Sequence, residues 1–85
     1  MKIKTSRYTA LFQKEKKGGY TVIVPLLPGL ITYGSTLEKA KEMAEEAIEL
    51  YIESLKAHKE EIPSEDDVFY TQIQIDPLKV QLSYA

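Results

Sequence analysis

Between Leu37 and Leu55 one series of apolar positions runs Leu37, Ala40, Ala44, Ala47, Ile48, Tyr51 and Leu55, spaced by threes and fours around the Ala47–Ile48 pair. That period belongs to one face of one α-helix. In a chain of 85 residues, a single long helix cannot bury its own apolar stripe and needs a second layer. Segments with an alternating pattern flank it on both sides, so the spacing predicts an α+β fold with one helix packed on one face of a sheet. Ser35-Thr36-Leu37-Glu38 fits a capping box, with Ser35 accepting from the amide of residue 38 and Glu38 reaching back. Glu38 near the start and Lys56, His58 and Lys59 near the end agree with the helix dipole. The alanines of the stripe would let the helix lie close to the sheet.

Residues 3–13, "IKTSRYTALFQ", read as a first strand, with Tyr8, Ala10 and Phe12 on one face. "KEKKGGY" is a turn, and residues 20–24, "YTVIV", are a second strand. Pairing the two puts Tyr20, Val22 and Val24 on the face of Tyr8, Ala10 and Phe12. The second strand is apolar at nearly every position, which predicts partial cover of its other face too. Residues 30–33, "LITY", form a short third strand before Gly34 and the helix. After a polar loop over 58–67, residues 68–75, "VFYTQIQI", alternate and read as a fourth strand. Asp76-Pro77 breaks it. Leu78, Val80, Leu82 and Tyr84 are again in phase, as a fifth strand or a swapped edge strand. The expected order is β-β-β-α-β, with an optional last β, in a mainly antiparallel sheet. Residues 1–85 are expected to be one domain, with 77–85 as its extra edge strand or swapped tail.

Between strands two and three stands the corner Pro25-Leu26-Leu27-Pro28-Gly29. Pro25 cannot donate to a ladder, and Pro28-Gly29 is a strong turn pair. One reading is structural, with Leu26 and Leu27 tucked under the helix. The other is a rigid apolar loop, already ordered, that a partner grips.

The net charge is −2, unevenly spread. Residues 1–17 carry six bases (Lys2, Lys4, Arg7, Lys14, Lys16, Lys17) against Glu15, and residues 35–67 carry eleven acids against four bases. The acidic balance argues against nucleic-acid binding by this domain and is compatible with a basic protein partner. There is no cysteine, which excludes disulfides and thiolate metal sites and fits a reducing cytosol. No apolar run is long enough to cross a membrane or form a signal-peptide core.

Over residues 8–63 the chain resembles the HicB-like antitoxin family. The steps that carry the resemblance are Tyr8, Gly18-Gly19-Tyr20, Pro25-Leu26-Leu27-Pro28-Gly29, Gly34-Ser35-Thr36-Leu37, Ala47-Ile48-Glu49-Leu50-Tyr51 and Ile62-Pro63. Leu26 stands where the family often has an acidic residue, so this corner is more apolar. The resemblance implies a reduced ribonuclease-H-like fold and a cytoplasmic antitoxin. Its partner would be a small basic HicA-type toxin that cleaves messenger RNA. Many family members add a C-terminal DNA-binding domain; this chain stops at Ala85 without room for one.

Ribonuclease-H chemistry needs clustered carboxylates holding divalent metal, one of them on the first strand. Residues 3–13 contain no Asp or Glu. His58 is the sole histidine and cannot build a typical zinc site without cysteine or a second histidine. No enzymatic activity, metal or cofactor is therefore expected. Expected partner contacts are Leu26, Leu27, Glu42, Glu45, Glu46, Glu49, Glu65, Asp66 and Asp67, with Tyr33 and Tyr70 as further interface candidates. A different reading is a stand-alone homo-oligomer without a toxin, assembled through the edge residues Leu78, Val80, Leu82 and Tyr84.

Overall fold

The computed structural model describes residues 6–82. Three strands, β1 (Leu11–Lys14), β2 (Tyr20–Ile23) and β3 (Ile31–Gly34), are followed by one helix, α1 (Leu37–Ala57). The sheet order is β1-β2-β3, antiparallel throughout, so every strand pairs with its sequence neighbour. This is the α+β arrangement expected from the pattern. Phe12 stands opposite Val22, and Val22 opposite Thr32. The even-numbered positions therefore share one face, and α1 lies over it, resting mainly on β3 and β2.

Two small clusters make the core. Val22, Ala40 and Ala44 join sheet to helix, with Ala10 and Tyr20 at their margin. Val24, Leu27 and Leu30 fill the far end against Tyr8, Ala47, Ile48 and Tyr51. The helix can come this near because Gly34, Ala40 and Ala44 are small. A Cβ on Gly34 would collide with the backbone nitrogen and Cα of Ala40.

The corner is two consecutive tight turns. Leu27 N donates to Val24 O at 3.1 Å, and Leu30 N donates to Leu27 O at 3.0 Å. Pro28 at the second position and Gly29 with φ +84 at the third give the second turn a type II form. The corner thus swings both Leu27 and Leu30 inward. Tyr51 Oη donates to Pro28 O at 2.9 Å and ties the helix to it. At the hairpin, Glu15 N donates to Gly19 O at 2.9 Å and Tyr33 Oη donates to Gly18 O at 3.0 Å.

Several local expectations need correction. The helix is capped by Thr36, whose hydroxyl accepts from Lys39 N at 3.0 Å. The capping box through Ser35 and Glu38 does not form, because Leu37 is the first helical residue and the third is Lys39, not a glutamate. The first strand is short: residues 6–10 run beside the core without joining the ladder, and residues 1–5 lie outside the described residues. The second face of β2 is partly covered, as expected, with Thr21 half-buried and Ile23 37% exposed. Residues 68–75 form no strand and join no ladder among the described residues; the sheet there holds β1, β2 and β3. Pro77–Lys79 is a single 3-10 turn started by Asp76, whose carboxylate accepts from Leu78 N at 3.0 Å. Leu78, Val80 and Leu82 are exposed and form no strand, and Tyr84 lies outside the described residues.

Candidate protein-docking surface

On α1, Glu38, Glu42, Glu45, Glu46, Glu49 and Glu53 all point away from the stripe that Ala40, Ala44, Ala47, Ile48 and Tyr51 bury, and all six are exposed. Four of their pairs are four residues apart: 38–42, 42–46, 45–49 and 49–53. A helix face built for solvent alone usually alternates signs, because Glu followed four residues later by Lys stabilises a helix and like charges at that spacing destabilise it. Here the nearest relief is Lys39, whose Nζ lies 3.8 Å from Glu42 Oε2, with both side chains more than half exposed. Such a pair is worth roughly 0–1 kcal/mol. The outer face of α1 is therefore an acidic stripe whose self-repulsion a cationic partner would relieve.

The other expected contacts are dispersed. Leu27 is fully buried and belongs to the core, so its assignment as a partner contact is corrected: the two turns of the corner point it inward. Leu26 is half-buried beside it. In the loop after the helix, Glu65 is committed to the fold. Its carboxylate accepts from the backbone amide of Thr9 and, at 3.0 Å, from the Thr9 hydroxyl. Tyr8 Oη adds a hydrogen bond to Pro63 O at 2.9 Å. These bonds clamp residues 63–65 against the segment leading into β1, leaving Asp66 and Asp67 exposed. Among the described residues, no three of the His, Asp and Glu side chains gather closely enough to hold a metal ion, and no helix is long and apolar enough to cross a membrane.

One feature of the surface was not anticipated from the sequence. On the sheet face opposite the helix, Leu11 pairs with Ile23 and Ile23 with Ile31. Three apolar side chains thus form an unbroken band across all the strands, and all three are exposed, Ile31 the most at 65%. Tyr33 flanks it, half exposed. The signal was available in the unbroken apolar run of β2 and in the phase shared by Ile31 and Tyr33.

A profile described as HicB_like antitoxin of bacterial toxin-antitoxin system matches residues 8–79. A UPF0150 protein of Synechocystis is 49% identical over 59 residues, covering 69% of this chain and 75% of its own length. A UPF0150 protein of Thermoplasma acidophilum is 47% identical over 60 residues, covering 71% and 87%. The protein called Antitoxin HicB 1 in Photorhabdus laumondii is 35% identical over 78 residues, which cover 92% of this chain and half of that longer protein. No solved structure matches the chain.

Proposed function

Because the chain belongs to the HicB-like antitoxin family, we propose that it neutralises a small basic RNA-cleaving toxin of the HicA type by holding it against the acidic stripe of α1. The observation that carries this reading is the run Glu38, Glu42, Glu45, Glu46, Glu49 and Glu53 on one exposed face. A protein that binds RNA presents lysines and arginines spaced for phosphates. A row of carboxylates on a rigid helix offers those cations a substitute at low ordering cost, since the backbone is already fixed. Opposite charge speeds encounter and sets orientation, and contacts at the apolar margin supply the rest of the affinity. Asp66 and Asp67 extend the negative field near the start of β1. The role is stoichiometric occupation of the toxin and involves no chemical transformation by this chain.

The test is an affinity-tagged chain expressed in its native host, captured and read by mass spectrometry, beside the double variant Glu42→Lys, Glu49→Lys. A small basic protein in comparable amount with the tagged chain, lost from the double variant and by raising salt, is the expected result. Recovery of no basic protein, or recovery indifferent to the two charge reversals, rejects the reading.

A further inference from the structure

The acidic stripe leaves unexplained the most apolar part of the surface. The band Leu11–Ile23–Ile31 lies on the face that α1 does not cover, and β1 is exposed at all four of its positions. Beyond Asp67 the chain runs out as an arm, residues 68–82, with every residue exposed. Phe69 (91%), Ile73 (79%), Ile75 (69%) and Leu78 (95%) stand almost bare. The radius of gyration is 17.2 Å, against roughly 12 Å for a compact domain of this length. A monomer seldom leaves so much apolar surface in water unless something covers it.

The arm has the pattern of a half-buried strand. Phe69, Thr71, Ile73 and Ile75 share one side, and Val68, Tyr70, Gln72 and Gln74 share the other. An extended segment lying flat on a sheet turns one side down and keeps its backbone amides and carbonyls pointing sideways into water, which fits one apolar and one more polar side. The arm carries one acid and one base, Asp76 and Lys79, and so has no net charge. The band itself holds no acid. Neither surface is suited to a cationic toxin, whereas each is suited to the other. The chain's own arm does not lie on its own band. It departs from the clamp of Thr9 on Glu65 and runs outward, in a molecule 55 Å along its longest axis.

We infer that two copies of this chain exchange arms, each laying Phe69, Ile73 and Ile75 on the Leu11–Ile23–Ile31 band of the other. A two-fold exchange covers both bands and both arms at once, which closes the assembly and doubles the buried area. The assembly is independent of any toxin and leaves the outer face of α1 free.

The experiment uses the purified full chain alone, so its outcome is separate from that of the toxin reading. Light scattering after size exclusion, at about 100 µM so that only contacts weaker than that are missed, should give twice the 9.7 kDa chain mass. Ile73→Asp on the arm and Ile31→Asp on the band should each return the mass to a single chain. An equimolar mixture of the two variants should recover the double mass, because one sound arm then meets one sound band. A wild-type chain of single mass, or variants that keep the double mass, overturns the inference. Should either aspartate unfold the protein by circular dichroism, cross-linking decides. The chain lacks cysteine, so Ile31→Cys and Ile73→Cys placed in differently tagged chains report only this contact. An oxidised heterodimer supports the exchange. No cross-link between chains, or one formed only within a chain carrying both cysteines, defeats it.

Discussion

Tyr51 Oη donates to Pro28 O across 2.9 Å, so the C-terminal third of the helix is fastened to the turn that ends the sheet's second crossing. The same ring packs against Val24, Leu27 and Leu30. Tyr51→Phe keeps the packing and removes only a solvent-accessible hydrogen bond, so it should cost about 0.5–1 kcal/mol. Tyr51→Ala removes both and should cost roughly 3–5 kcal/mol. Urea unfolding of the two variants measures the difference.

Leu26 and Leu27 are adjacent in sequence and opposite in role. Leu27→Ala empties a fully buried site and should lose roughly 2–5 kcal/mol. Leu26→Ala, at a half-buried site, should lose less than about 1.5 kcal/mol. If the corner were a gripped loop and not core, the two losses would be alike in unfolding experiments.

Gly34 is the point where sheet and helix touch backbone to backbone. Gly34→Ala forces a methyl group into Ala40, and α1 must lift from β3 for it to fit. The loss should exceed about 3 kcal/mol, at the severe end for a single change. A thermal melt of the variant within a few degrees of wild type would refute the close approach.

Glu49→Lys separates stability from binding by their signs. It replaces the Glu45–Glu49 repulsion with a Glu-to-Lys pair four residues apart, which should stabilise the free chain by about 0.2–0.5 kcal/mol. On the proposed function, the same change should weaken capture of a basic toxin at least tenfold, and more at low salt, where exposed charges are least screened. A variant that is more stable and still binds as well as wild type would place the toxin elsewhere.

Much of this molecule was legible in its pattern, and what escaped has a physical cause. The threes and fours from Leu37 to Leu55 mark α1 to its ends, since helical hydrogen bonds are local and the buried stripe repeats within them. The phase of Phe12 with Val22 was legible too, because a short hairpin leaves little freedom of register. The cap lies one residue later than the spacing suggests because Ser35 and Thr36 are both able caps, and the pattern does not choose between neighbours. Residues 68–75 look like a strand, but alternation reports only that one side seeks cover and not which surface provides it. Among the candidate contact residues, the exposed face shared by Glu42, Glu45, Glu46 and Glu49 could be read from spacing alone. The diversion of Glu65 to Thr9 could not, because the two are 56 positions apart.

The adjacency of β1, β2, β3 and α1 in chain order also governs how the protein comes into being on the ribosome. Each element finds its neighbour in the stretch made just before it, so few large loops must close and contact order is low. The sheet and helix can assemble while the rest is still being translated. Tyr8 and Thr9, first of these to emerge, must then wait for Pro63 and Glu65, making that latch a late event of biosynthesis.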